Sequence, residues 1–114
     1  MSGKLAEALS DEEEVRITIF KKDGKKRTIP VWFTVEGGKL KLLPMYGLRT
    51  RWFQDVEREG SIVVKAKSRE ERFRPKVVRD RQTIDGIVDS FAEKYGASSR
   101  KYYATQDVAL LIDL

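Results

Sequence analysis

The chain has 114 residues, enough for one domain with a modest core, and carries a formal net charge of +5 with 36% of its residues charged. It contains no cysteine and no histidine. Disulfides and thiolate metal sites are therefore absent, as are the commonest metal ligand and the commonest general base near neutral pH, which argues against a zinc hydrolase and a Ser-His-Asp enzyme.

The N-terminal stretch MSGKLAEALSDEEE is acidic and has no long apolar core, so it does not read as a signal peptide. No apolar run approaches membrane-spanning length, and the expectation is a cytoplasmic protein without a membrane partner. Residues 1–14 read as a short helix, with Leu5 and Leu9 on one side, followed by an acidic loop. Residues 15–114 read as a single domain.

From Val15 the period becomes two, with Val15, Ile17 and Ile19 alternating with Arg16, Thr18 and Phe20. Asp23-Gly24 marks a hairpin turn. A second strand is expected over Arg27–Val35, apolar on both faces, with Pro30 marking an edge, a bulge or a kink. Gly37-Gly38 turns the chain into a third strand, Leu40–Met45.

An amphipathic helix is expected from Thr50 to about Arg58, with Arg51 and Asp55 as an i,i+4 pair and Gly60 closing it. Ser61–Lys67 reads as a fourth strand, Ser68-Arg69-Glu70 as a turn, and Glu71–Val78 as a fifth strand whose Arg72, Arg74 and Lys76 form a basic stripe. Residues 81–95 are the clearest helix, from Ile84, Ile87, Val88, Phe91 and Tyr95, capped by Asp80 or Thr83. An irregular connection over Gly96–Thr105 leads to a final strand from Val108 to Leu114. The order β-β-β-α-β-β-α-β predicts an α+β, mainly β fold: a six-stranded, mostly antiparallel sheet that closes on itself into a small barrel, with two or three helices.

The candidate site lies in LKLLPMYGLRTRWFQDV, Leu40 to Val56. A strand breaks at Pro44 and Gly47, and a helix opens beside Arg49, Thr50 and Arg51. Two guanidinium groups, a hydroxyl and free backbone N–H groups together suit a phosphate. The plainer reading is a Thr helix cap beside surface arginines, although cations oppose the dipole at that end.

The segments KRTIPVWFTVEGGKLKLLPMYG, RTRWFQDVEREGSIVVKA and FAEKYG, in that order, resemble the FMN-binding split barrels. These are the pyridoxamine-phosphate-oxidase-like proteins, and the similarity is to the branch of deazaflavin-dependent nitroreductases and quinone reductases. The resemblance implies a homodimer with two cofactor sites at the subunit interface. It implies that Thr28, Pro30, Val31 and Trp32 line the ring of FMN or a deazaflavin, with Met45 and Tyr46 near its other end. It also implies that Arg49, Thr50 and Arg51 hold the phosphate while Trp52 packs the helix down. Where many relatives carry Asn, this sequence has Asp55, whose charge beside a phosphate calls for neutralisation by Arg51.

Arg74 and Lys76 are further candidates for reaching phosphate across a dimer, and Tyr103 for approaching the partner's site. Each has a plainer reading, as a solvated strand face or as packing. Trp32 reads first as a core or interface aromatic. The leading expectation is an oxidoreductase that passes hydride or electrons from FMN or a deazaflavin to a small acceptor such as a quinone or nitro compound. The alternatives are a nucleic-acid-binding barrel, the less favoured partner class, and a cofactor-free structural dimer.

Overall fold

The structure is a computed structural model that describes residues 2–9, 11–103 and 107–114. Thr105, at the end of the expected Gly96–Thr105 connection, lies outside the described residues. Helix α1 (Ser2–Leu9) precedes β1 (Val15–Phe20) and β2 (Lys26–Val31). Next come β3 (Thr34–Glu36), β4 (Lys39–Leu42) and helix α2 (Arg51–Glu59), then β5 (Ile62–Ala66), β6 (Arg69–Phe73) and β7 (Lys76–Val78). Helix α3 (Arg81–Tyr95) and β8 (Ala109–Asp113) complete the chain.

The first sheet has the order β2-β1-β5-β6 and the second β3-β4-β8-β7, with antiparallel pairing throughout. The Asp23-Gly24 and Gly37-Gly38 hairpins form as expected, because glycine at positive φ lets each strand turn back on its neighbour.

Among the described residues eight strands form where six were expected, and the two sheets do not join into one closed barrel. The difference comes from two corners. The strand expected over Arg27–Val35 leaves the first sheet after Val31 and enters the second at Thr34. At the corner, Phe33 is buried among the residues between the sheets, while Trp32 packs against a separate cluster beneath α3. Adjacent aromatics drawn to different clusters bend the chain. The strand expected over Glu71–Val78 likewise breaks at Arg74-Pro75, where proline has no N–H to continue a ladder. Pro30, by contrast, stays within β2, where an edge position tolerates the missing donor.

Two apolar clusters result. The inner one fills the space between the sheets with Ile17, Leu40, Phe53, Ile62 and Leu110, and α1 adds Leu5 and Leu9 to it. The outer one holds Ile84, Ile87, Val88 and Phe91 of α3 against Ala109 and Leu43. In β8 the side chains alternate between the clusters, Leu110 and Ile112 inward, Ala109 and Leu111 outward. A strand buried on both faces reads as the continuous apolar run seen here.

Of the two expected caps for α3 the structure uses Asp80, and local pairings differ from expectation in two other places. Asp80 caps α3, accepting from the backbone N–H of Thr83 at 2.8 Å and from its hydroxyl at 2.7 Å, which also holds the Asp80 carboxyl below its ordinary pKa. Asp55 pairs with Arg58 at 2.7 Å and not with Arg51, because Arg58 reaches both Asp55 and the carbonyl of Phe20. Arg69 and Glu70 belong to β6, so the turn contracts to Lys67-Ser68.

Candidate functional site: an aromatic groove at an uncapped helix start

A cavity of about 540 Å³ opens between the edge strand β2, the Leu43–Thr50 connection and the start of α2. Its lining includes Pro30, Val31, Trp32, Met45, Tyr46, Thr50, Trp52 and Tyr103, all named from the sequence. Leu43, Ile29 and Tyr102 add apolar surface, and Glu14 and Arg27 contribute the charged groups of the rim. No sequence pattern marks these five as a group, because they come from four separate segments.

The base of the groove is an aromatic cluster. Trp32 stacks on Tyr95 with centroids 4.2 Å apart and planes 9° from parallel. Tyr102 meets the Trp32 ring edge-on at 5.6 Å, and Tyr103 meets Phe91 edge-on at 5.2 Å. Burial, and after it the neighbouring Tyr95, pushes the Tyr103 phenol well above its ordinary pKa. Met45, Tyr46 and Tyr102 remain exposed around the mouth.

Tyr95 also fixes the corner that carries Trp32. Its hydroxyl accepts from the Phe33 N–H at 2.9 Å, and its proton faces the carbonyls of Glu13 at 2.7 Å and Phe33 at 2.9 Å. Burial pushes this phenol up to about 12, opposed by the Phe33 hydrogen bond and helped by Glu13 and Glu14. Lys94 donates to the Phe33 carbonyl at 3.0 Å and sits 3.4 Å over the Phe33 ring, and desolvation lowers its pKa.

The other end of the groove is the helix start. Gly47, at φ 60°, allows the tight turn in which its N–H donates to Pro44 and the Thr50 N–H donates to Gly47. Thr50 is buried, and its hydroxyl accepts from the Tyr46 N–H at 2.8 Å. That bond holds the loop closed and takes Thr50 out of capping, so α2 starts with no side-chain cap and no acidic residue in its first turn. Leu48 is held by Asp107 at 3.2 Å, and Gln54 donates to the Leu48 carbonyl at 3.2 Å.

Arg49 and Arg51 flank this helix start, exposed, and neither has a carboxylate partner among the described residues. They do not line the groove itself. Thr28 lies outside it, on a different cleft, with its hydroxyl bonded to that of Thr18 at 2.8 Å. Arg74 lies at a second notch beside Arg72, and Lys76 is an exposed residue of β7. The structure thus gathers eight of the thirteen sequence candidates around one cavity, places Arg49 and Arg51 beside it at the start of α2, and leaves three elsewhere.

Two four-stranded antiparallel sheets joined by bent strands, with a groove at the strand–loop–helix junction, give this chain the fold of the pyridoxamine-phosphate-oxidase-like split barrels, with deazaflavin-dependent reductases among its structural matches. The F420-H2 dependent reductase FDR-A is 17% identical with a TM-score of 0.70, covering 89% of this chain and 94% of that one. HutZ, the heme storage protein of Vibrio cholerae, is 11% identical with a TM-score of 0.75, covering 97% and 87%. A provisionally assigned pyridoxamine 5′-phosphate oxidase from Listeria innocua is 13% identical with a TM-score of 0.70, covering 97% and 90%. At these identities the likeness is one of fold. No curated protein matches the chain. The chain belongs to the family described as uncharacterized proteins conserved in bacteria, DUF2255, whose model matches residues 5–109.

Proposed function

We propose that the chain binds a flavin-type nucleotide, FMN or a deazaflavin, in the aromatic groove and acts as an oxidoreductase on a small acceptor such as a quinone or nitro compound. One observation carries this reading: an apolar, aromatic-walled groove runs into a helix start that has no cap of its own and is flanked by two unpaired arginines. The residues fit the group. A cavity of this size and lining suits a planar ring system, and open N–H groups beside Arg49 and Arg51 suit its phosphate.

The bound group would supply the hydride chemistry. The residues of the chain bind and orient it. Trp32, braced by Tyr95, forms a rigid wall. Pro30 and Val31 supply the edge of β2, and Thr50 keeps the phosphate loop closed. Asp55, engaged by Arg58, leaves Arg51 free for the anion. Exposed Met45, Tyr46, Leu48 and Tyr102 form an apolar margin that a second copy would cover, in keeping with a homodimer.

The test is the visible spectrum of the freshly purified protein, repeated after adding FMN and then a deazaflavin coenzyme, with light scattering to give the assembly state. A flavin-like band that co-purifies or is captured supports the reading. R49A/R51A should weaken capture at least about tenfold, the scale of one lost charged hydrogen bond. A protein that captures neither group overturns it. A haem-like band would also overturn it and would direct attention to tyrosine or methionine ligation, since the chain has no histidine or cysteine.

A further inference from the structure

We propose that the outer face of the first sheet, continued by the Lys21–Lys26 hairpin, is a surface for duplex nucleic acid, held through the phosphate backbone without reading sequence. The proposal is independent of the cofactor groove.

The first observation is where the uncompensated charge lies. Elsewhere many cations are matched: Lys39 with Asp113, Lys41 with Glu36, Arg58 with Asp55, Arg79 with Glu57. Lys21, Lys22, Lys25, Lys26 and Arg74 have no carboxylate partner among the described residues. The one acidic side chain of the hairpin, Asp23, accepts from the Lys25 backbone N–H at 3.0 Å. Four of these five lie on the one hairpin, so unmatched positive charge gathers at that end of the first sheet, apart from the Arg49 and Arg51 pair at the start of α2.

The second observation is register. Phe20 lies opposite Lys26, Thr18 lies opposite both Thr28 and Val63, and Val63 lies opposite Arg72, so these side chains share the face turned away from the inner cluster. Of these, Lys26, Thr28 and Arg72 are exposed, while Thr18 is buried with its hydroxyl bonded to that of Thr28, so the cations are the main groups placed to contact phosphate. Arg72 is already fixed: it donates to the Ser61 hydroxyl at 2.8 Å and sits 4.6 Å over the Phe20 ring, with its outer side exposed. Glu59, the carboxylate in the notch beside Arg72 and Arg74, is engaged by Arg58. From β2 to β6 the face spans about 14 Å at the usual strand spacing, wide enough for several phosphates.

Other occupants fit less well. A second copy would bring like charges together. A membrane calls for exposed apolar groups, and the large ones lie elsewhere, Met45, Tyr46 and Tyr102 on the groove and Leu48 in the connection beside it. Single strands call for exposed aromatics to stack bases, and Phe20 is half-buried beneath Arg72. The acidic run Asp11–Glu14 borders the far end of the face, beside Arg16 and Lys65, which confines the duplex to the hairpin end.

The experiment is the anisotropy of a short fluorescein-labelled DNA duplex, titrated with the full chain over a range of salt. The logarithm of the affinity should fall against the logarithm of salt with a slope of about −4. K22Q/K25Q/K26Q, on an exposed turn, should reduce that slope by about three, while K39Q/K76Q/K101Q, which removes equal charge on other elements, should change it by less than one. Circular dichroism confirms that each variant folds, and K26Q alone should lower the slope by about one. Absence of binding at low salt overturns the proposal. So does an equal loss in the control triple, which would mean a general charge effect, or capture by anionic vesicles but not by duplex.

Discussion

The corner at Trp32-Phe33 leaves the Phe33 peptide groups without a ladder partner, and the Tyr95 hydroxyl meets them across 62 residues of sequence. Leaving a buried N–H unpaired costs about 1–3 kcal/mol, so Tyr95→Phe should lower stability by that amount in a denaturant titration while the ring stack persists. The pH dependence adds a signature. The phenol is raised from its ordinary 10.0 to about 12, so between those values the unfolded chain has lost a proton that the folded chain keeps. Stability therefore falls as pH rises from about 10 to about 12, and the fall should be shallower in the Tyr95→Phe variant. A wild-type slope retained in full by the variant would contradict this account. Helical spacing marked Tyr95 as a packing residue, which its ring is. The role of its hydroxyl was not legible, because it depends on a corner that local pattern does not encode. The same holds for Asp55, whose choice of Arg58 over Arg51 rests on the Phe20 carbonyl, distant in sequence.

At the scale of elements, period-two alternation located the paired strands and DG and GG marked two hairpins, because these signals are local. The corners were missed because alternation continues through them: Trp32, Phe33 and Thr34 look like strand residues in either sheet. The β5–β6 turn was placed one residue late for a related reason. Lys67 adopts φ 56° there, a left-handed conformation that sequence patterns reserve for glycine. Gly60 ends α2 in the same region of conformational space at φ 74°, and a Cβ on it would meet nothing within 4 Å. The two positions make opposite predictions from one cause. Gly60→Ala should destabilise by about 1 kcal/mol through backbone conformation alone. Lys67→Gly should stabilise by about 0.5 kcal/mol, the relief of left-handed strain less the added freedom of the unfolded chain. Midpoints from urea titrations moving in the same direction for both would refute the shared cause.

For the molecule as a whole, the question is whether two clusters make one folding unit. The second sheet separates them, and β8 contributes alternate side chains to each. Helix α3 could come away on its own only by exposing one face of β8 and by breaking the Tyr95 and Lys94 bonds to Phe33, which is itself a member of the inner cluster. Both routes couple the outer cluster to the inner one, so unfolding should be a single cooperative step, as is usual for a domain of this size. The two tryptophans allow a direct test, since Trp32 packs against the outer cluster and Trp52 against the inner one. Trp32→Phe leaves a reporter of the inner cluster, and Trp52→Phe a reporter of the outer. Each single-tryptophan variant should give a fluorescence unfolding curve that coincides with its own far-ultraviolet circular dichroism. If the Trp32 signal is lost well before the dichroism, α3 and the groove wall form a separate, weaker unit. The groove would then be held by a segment that opens without global unfolding, and the rigid aromatic wall assigned to Trp32 would be wrong.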